Sequence, residues 1–312
     1  MKFATFVAPN GKPAIGLVDT DRQTVLDLRH AARLGGADSP AFVDMLSLID
    51  GGPEALAAAK GLGQSWASEA SLPFAGLTWL APLPEPRQIR DCLVFEEHLT
   101  NSLKRAGERG NRAPQPIPEV WYRQPIYYKA NRFSVVGPET DVIWPSYSNW
   151  MDFELELGCV IGKTGKDIAK DRALDHVFGF TIFNDFSARD AQYAEMEGRL
   201  GPAKGKDFDT GNVIGPWIVT LDEIGDPHDL KMDARVNGER WGGGSSKAMH
   251  HSFNAIIAHI SMSETIHAGE LICSGTVGTG CGNEVGRKLS PSDIIELEIE
   301  KIGKLRNKLV RP

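Results

Sequence analysis

No apolar run in this chain reaches the roughly 18 residues that a bilayer-spanning helix needs. Its first residues, Met1-Lys2-Phe3-Ala4-Thr5-Phe6-Val7-Ala8-Pro9, lack the apolar stretch of about 7–15 residues found in a secretory leader. No membrane partner is expected, and the expected compartment is the cytoplasm. Cysteine is scarce: Cys92, Cys159, Cys273 and Cys281 are the only four in 312 residues, widely scattered and without C-x-x-C spacing. That is too sparse for a disulfide framework and wrong for a zinc site, so the thiols are expected to be reduced and structural. Positive charge is also short. With 34 Lys and Arg against 41 Asp and Glu, the formal charge of −7 argues against nucleic acid as a partner, because counterion displacement needs a basic surface.

Several familiar signatures are missing as well. Gly162-Lys163-Thr164 imitates the end of a phosphate-binding loop, but position 157, where that motif requires glycine, holds Leu157. No G-x-S-x-G nucleophile elbow occurs, and the glycines between Gly275 and Gly286 never complete G-x-G-x-x-G. There is no internal repeat with a period of about 20–50 residues, and no low-complexity tract.

What the chain does have is enough apolar sequence, 41% of its residues, to bury a substantial core. Residues 1–78 read as a small N-terminal α+β domain: a strand near Lys2–Val7, a turn at Pro9-Asn10-Gly11, a strand near Ala14–Val18, then Ala-rich helical sequence. In Ala81-Pro82-Leu83-Pro84-Glu85-Pro86, alternate prolines bar both a helix and a central strand, which sets a domain boundary and leaves residues 79–312 as the larger unit. Short β-rich runs dominate that unit, among them Phe153–Ile161, Val177–Phe183, Trp217–Thr220, Leu271–Ser274 and Ile294–Ile299. Helical periodicity is clear over 92–106, 187–197 and 250–263. The fold class expected is mainly β, of the α+β type.

Within Met151-Asp152-Phe153-Glu154-Leu155-Glu156-Leu157, alternation puts Glu154 and Glu156 on one strand face, and Phe153, Leu155 and Leu157 on the other. Two carboxylates about 4 Å apart repel by roughly 4 kcal/mol at an effective dielectric near 20, so a sheltered pair needs shared protons, basic neighbours or a divalent ion. A second run, Val177–Phe183, delivers Asp185 at a strand end, just before a helix expected to begin at Ser187. Arg90-Asp91-Cys92-Leu93-Val94-Phe95-Glu96-Glu97-His98 adds another acid and a histidine. Asp91, Glu154, Glu156 and Asp185 together form a candidate all-oxygen site for Mg2+ or Ca2+, with Mn2+ a third candidate, in preference to metals that favour imidazole and thiolate. Each residue alone has a plainer reading: a solvated strand face, a helix cap, a surface histidine. Their company with two glycine-punctuated loops, Gly201–Thr210 and Gly275–Glu284, favours a ligand site, since glycine lets backbone approach closely.

Four blocks resemble the fumarylacetoacetate hydrolase family. They are Asp152-Phe153-Glu154-Leu155-Glu156-Leu157 with Val160-Ile161-Gly162; Phe183-Asn184-Asp185-Phe186-Ser187-Ala188-Arg189-Asp190-Ala191-Gln192; Gly205-Lys206 with Gly215-Pro216-Trp217; and Gly269-Glu270-Leu271-Ile272 with Ser274-Gly275-Thr276. The resemblance covers residues 80–312 and implies a rolled β-sandwich catalytic domain, commonly a homodimer. It implies a divalent cation on Asp91, Glu154, Glu156 and Asp185, and a small diketo or keto acid as substrate. It further implies hydrolysis of a carbon–carbon bond, as in the breakdown of aromatic compounds, with His98 deprotonating water and Glu284 orienting His98. Lys206 and Gln192 would then donate to the forming oxyanion, Tyr128 and Thr276 would contact substrate, and Arg189 would brace the metal loop.

Fumarylacetoacetase itself has tyrosines where this chain has Leu93 and Met196, and an arginine where it has Gly107; Arg105, two residues away, is the candidate replacement. Short-form members pair their histidine with a glutamate three residues on, where this chain has Asn101, which leaves Glu284 as the partner. The same scaffold also supports 2-keto acid decarboxylases, enol–keto isomerases and hydratases or dehydratases. A non-catalytic metal-binding protein is the rival from outside enzymology.

Overall fold

The computed structural model describes residues 1–312. A large sheet runs, from one edge, through Ser71–Pro73, Thr24–Asp27, Pro13–Asp19, Lys2–Val7, Asn212–Thr220, Val177–Asp185, Leu155–Ile161, Leu271–Cys273, Ile89–Cys92 and Tyr127–Ala130. Most neighbours on this path are antiparallel, but Leu271–Cys273 and Ile89–Cys92 run parallel and set Cys273 opposite Asp91. A second sheet of five strands carries Glu239–Ser245, Lys231–Val236, Ile294–Ile299, Gly303–Val310 and Asp141–Ile143. Leu157 and Ile182 of the first sheet share one apolar cluster with Ala234, Leu297 and Leu305 of the second, so two sheets close on a common core. The fold is α+β, and no helix is long and apolar enough to cross a membrane.

The central strands read as they fold. Val177–Asp185 is rich in β-branched and aromatic residues, and all but its first residue are buried. Leu155–Ile161 is buried along its whole length, so the expected division into one apolar and one cation-holding face gives way to a strand covered on both sides. The boundary expected at residue 78 does not interrupt the sheet. Lys2–Val7 pairs with Asn212–Thr220, setting Phe3 against Ile218, and Phe3 packs in one cluster with Val160, Phe178, Phe183 and Ile214. The helix expected from residue 92 begins at Glu96, because Ile89–Cys92 is taken into the sheet. The helix expected at Ser187 begins at Arg189, because Ser187–Ala188 pairs with Met151–Asp152. Asp185 therefore caps nothing.

Candidate active site

Three sheet positions bring the carboxylates together. Leu155–Ile161 and Val177–Asp185 are antiparallel with Leu155 opposite Asn184, and the strand is broken at Phe153-Glu154, where the Asn184 side-chain carbonyl accepts the Glu154 N–H at 3.1 Å. That break lets Glu154 turn in beside Glu156 and Asp185, so that one oxygen of each lies within 4.8 Å of the others. Asp91 joins from Ile89–Cys92, one strand beyond Leu271–Cys273, within the same reach of Glu156 and of the Cys273 sulfur. All four carboxylates are buried, at 5% exposure or less.

Their charges are only partly answered. Arg189 Nη1 lies 2.7 Å from Glu154 Oε1, and Lys206 Nζ lies 2.5 Å from Glu154 Oε2 while also donating to Asp185 Oδ2. Burial alone would raise Glu154, but Arg189 and Lys206 hold it below the usual carboxylate range. Glu156 goes the other way: burial, then repulsion from Asp91, pushes it well above that range. Asp185 is likewise pushed well up by burial despite Lys206, and burial raises Asp91. Three buried oxygens, Asp91 Oδ1, Glu156 Oε1 and Asp185 Oδ1, have no hydrogen-bond partner. Orphaned buried carboxylate oxygens in an all-oxygen set fit a hard divalent cation. Burial raises the neighbouring Cys273 thiol well above its ordinary value in the metal-free protein.

Beside this cluster stands a histidine–carboxylate pair. His98 sits in the first turn of the helix Glu96–Arg109, and its Nδ1 is 2.8 Å from Glu284 Oε2. Glu284 Oε1 accepts from the Thr279 N–H at 2.9 Å and from Asn101 Nδ2 at 3.2 Å. Burial would lower His98, but the charge of Glu284 outweighs it and leaves the imidazole above its ordinary value; Glu284 in turn is lowered by His98 against its own burial. With Nδ1 engaged, Nε2 is the nitrogen left for a ligand.

Asp152 ties the two halves. Its Oδ2 receives Arg189 Nε and Nη2 at 2.9 and 2.8 Å, and its two oxygens accept the N–H groups of Gly282 and Asn283 at the start of the short helix Gly282–Val285 that carries Glu284. Sequence reasoning gave Asp152 and Asn184 no role, though Asp152 shares the alternation that picks out Glu154 and Glu156.

Asp91, Glu154, Glu156 and His98 line one cavity of about 320 Å3, together with Tyr128, Gln192, Lys206 and Thr276, while Asp185 lies fully buried outside the lining. Tyr128 OH donates to Asp185 Oδ2 at 2.8 Å, and Gln192 Oε1 accepts from Arg189 at 3.0 Å. Leu93 and Met196 line the cavity too. Arg105 does not. Its guanidinium donates to the Glu284 backbone carbonyl at 3.2 Å and pairs with Glu108, behind the dyad, so it braces Glu284 and does not replace an arginine at the missing position. Gly107 is packed: a Cβ there would lie 2.9 Å from the Arg112 carbonyl. The glycine loops serve protein contacts as much as ligand approach. Gly275, at φ +78°, passes so close to the Cys92 carbonyl that a Cβ would sit 2.3 Å from it, and its N–H donates to Glu156 Oε2 at 3.0 Å.

The fold and this site, a buried carboxylate cluster beside a histidine–carboxylate pair, are those of a family of enzymes that comparison with known proteins identifies. The family model described as fumarylacetoacetate (FAA) hydrolase C-terminal matches residues 92–310. The chain belongs to the fumarylacetoacetate hydrolase family. It is 36% identical over 240 residues to the mitochondrial oxaloacetate tautomerase FAHD2A of Homo sapiens, covering 77% of this chain and 71% of that protein. It is 31% identical to the 2,4-didehydro-3-deoxy-L-rhamnonate hydrolase of Sphingomonas sp. (strain SKA58), over 99% of this chain and 96% of the relative. Among solved structures, the fumarylacetoacetate hydrolase of psychrophilic Exiguobacterium antarcticum superposes with a TM-score of 0.77 at 28% identity, covering all of both chains. Members of the family thus act as hydrolases, isomerases and tautomerases on small keto acids.

Proposed function

We propose that this protein is a divalent-metal-dependent hydrolase that cleaves a carbon–carbon bond in a small diketo acid of the acylpyruvate or fumarylacetoacetate type. The observation that carries this reading is the meeting, at one cavity, of Asp91 and Glu156, each with an unpartnered carboxylate oxygen, and of His98 held by Glu284, with the unpartnered Asp185 oxygen buried beside them. Mg2+, Ca2+ or Mn2+ held by Asp91, Glu154, Glu156 and Asp185 would supply Lewis acidity and offset the charge of the four carboxylates.

The remaining work belongs to the chain. Glu284 fixes the proton of His98 on Nδ1, so Nε2 accepts a proton from water. In an acylpyruvate, a 2,4-diketo acid, the water oxygen bonds to the C4 carbonyl carbon, the C3–C4 bond breaks, and its electron pair leaves with C3 as the enolate of the 2-keto acid fragment. Protonation of that enolate completes the reaction, giving a 2-keto acid and a carboxylic acid. Gln192, its Oε1 occupied by Arg189, keeps its amide N–H to donate to oxygen as charge develops, and the Lys206 ammonium stabilises the same charge. Tyr128 and Thr276 position the acid head.

The test is His98→Ala. Turnover of acylpyruvates should fall by roughly 100-fold or more while calorimetry still shows metal binding. Retained hydrolysis would remove the mechanism. A protein that melts in a metal-dependent way but turns over no acylpyruvate, fumarylacetoacetate or oxaloacetate would instead be a structural metal binder.

A second reading, keto–enol tautomerisation, is favoured by the 36% identity to an oxaloacetate tautomerase. His98 would then move a proton between C3 and the enol oxygen. Loss of enol absorbance without release of a carboxylic acid fragment identifies that outcome.

A further inference from the structure

The charged groups of the cavity are confined to its floor. Asp91, His98, Glu154, Glu156, Arg189 and Lys206 are the Asp, Glu, His, Lys and Arg residues among its lining residues, and none is more than 7% exposed. Both strong cations are already committed, Arg189 to Asp152 and Glu154, Lys206 to Glu154 and Asp185. Toward the mouth, marked by Met196 at 57% exposure, the wall is Leu93, Leu99, Ile126, Tyr193, Met196 and Pro202, which carry no charge. The arginines beside it lie outside the cavity lining, among them Arg199, which is exposed and whose backbone N–H donates to the Met196 carbonyl. Arg105 is held by the Glu284 carbonyl and Glu108, while Arg109 donates to Asn283 Oδ1 at 2.9 Å and stacks 4.1 Å from the Tyr193 ring. Neither lines the cavity.

The geometry points to a substrate that is uncharged beyond C4. This rests on the reading that the keto acid head lies on the carboxylate floor. The carboxylate of the head, and any charge as near as C4, meets the floor groups; a carboxylate further out would be drawn against aliphatic and aromatic surface with no cation among the wall's lining residues to pair it, which is costly for a sheltered charge. An alkyl or hydroxylated tail loses nothing there, and the Ser102 and Tyr127 hydroxyls on the same wall can serve a hydroxyl. With a volume near 320 Å3, about ten waters' worth at roughly 30 Å3 each, the cavity holds the head and a tail of a few carbons.

Binding of non-hydrolysable acids tests this separately from the reaction. On Mg2+-loaded protein, calorimetry should give 2-oxohexanoate a Kd lower by roughly tenfold or more than that of 2-oxohexanedioate, which differs only in its distal carboxylate. Met196→Arg, at an exposed position, should narrow or reverse that ratio. Equal or tighter binding of the dicarboxylate to the unaltered protein, or binding of neither acid, overturns the inference; tight dicarboxylate binding lost in Arg109→Ala would also name the cation responsible. The preference for 2-oxohexanoate with no cleavage of any acylpyruvate would uphold it and sink the hydrolase reading instead.

Discussion

Glu284 sets the proton affinity of His98. Burial by itself would lower the imidazole, yet a carboxylate 2.8 Å from Nδ1 leaves it above its ordinary 6.5. A base works only when deprotonated, so the acid limb of kcat/KM should lie above pH 6.5. The same shift makes the His98 contribution to stability full below pH 6.5 and lost as pH climbs through the raised folded value, while that of Glu284, whose value is lowered, is lost as pH falls through the carboxylate range. Glu284→Gln removes the charge but keeps the shape. The limb should then move down by about one pH unit, and kcat should fall roughly tenfold or more as the tautomer is no longer held. Paired pH–rate profiles check this, and an unmoved limb would mean that Glu284 does not tune His98. Residues were legible in the sequence to the extent that their partners were local. Glu154 and Glu156 stand two apart and announce themselves by alternation; His98 and Glu284 stand 186 apart, and only the family resemblance pairs them. Arg105 misled because two residues along a helix is a turn of about 200° around the axis, enough to point it at the Glu284 backbone and away from the cavity.

At the scale of elements, the site depends on a strand break and a four-residue helix, and Asp152 holds both. It stands in the short strand Met151–Asp152, opposite Ser187, and clamps Arg189 on one side and the start of Gly282–Val285 on the other. A buried charge left without its partner is strongly destabilising, so Asp152→Asn should cost about 3 kcal/mol, the low end of the range because Arg189 keeps Glu154. Urea unfolding measures it, and kcat should drop too as the dyad helix loosens. A loss below about 1 kcal/mol would show the clamp to be dispensable. Of the elements themselves, Ile294–Ile299 was readable to the residue from its β-branched run. Glu239–Ser245, with three glycines in a row, was not, because its strand character comes from pairing with Lys231–Val236 and not from propensity. Pairing of Lys2–Val7 with Asn212–Thr220 spans over two hundred residues, and nothing local in either segment forecasts it.

Across the whole molecule, the carboxylate floor makes stability depend on pH and metal in opposite senses. Burial holds Glu156 and Asp185 well above the ordinary carboxylate range, and Asp91 above it, so the metal-free folded chain carries protons there that the unfolded chain has already shed. Stability falls with rising pH wherever the folded state binds more protons, so these groups favour the metal-free fold at acid pH and tax it progressively above the ordinary carboxylate range, through the raised folded values. A cation reverses the sign: its ligands must be ionised, so binding expels those protons and tightens as pH rises. Between about pH 6 and about pH 8, the gap in Tm between metal-loaded and chelator-treated protein should therefore widen, reaching a stabilisation of about 2.7 kcal/mol where free metal is at 100 times its Kd. Calorimetric titrations of Mg2+ in two buffers of different ionisation enthalpy should give heats that differ in proportion to the protons released. A constant Tm gap together with buffer-independent heats would mean that Asp91, Glu156 and Asp185 are already ionised in the free protein, and that some other group, Lys206 first among those in contact with them, answers their charge.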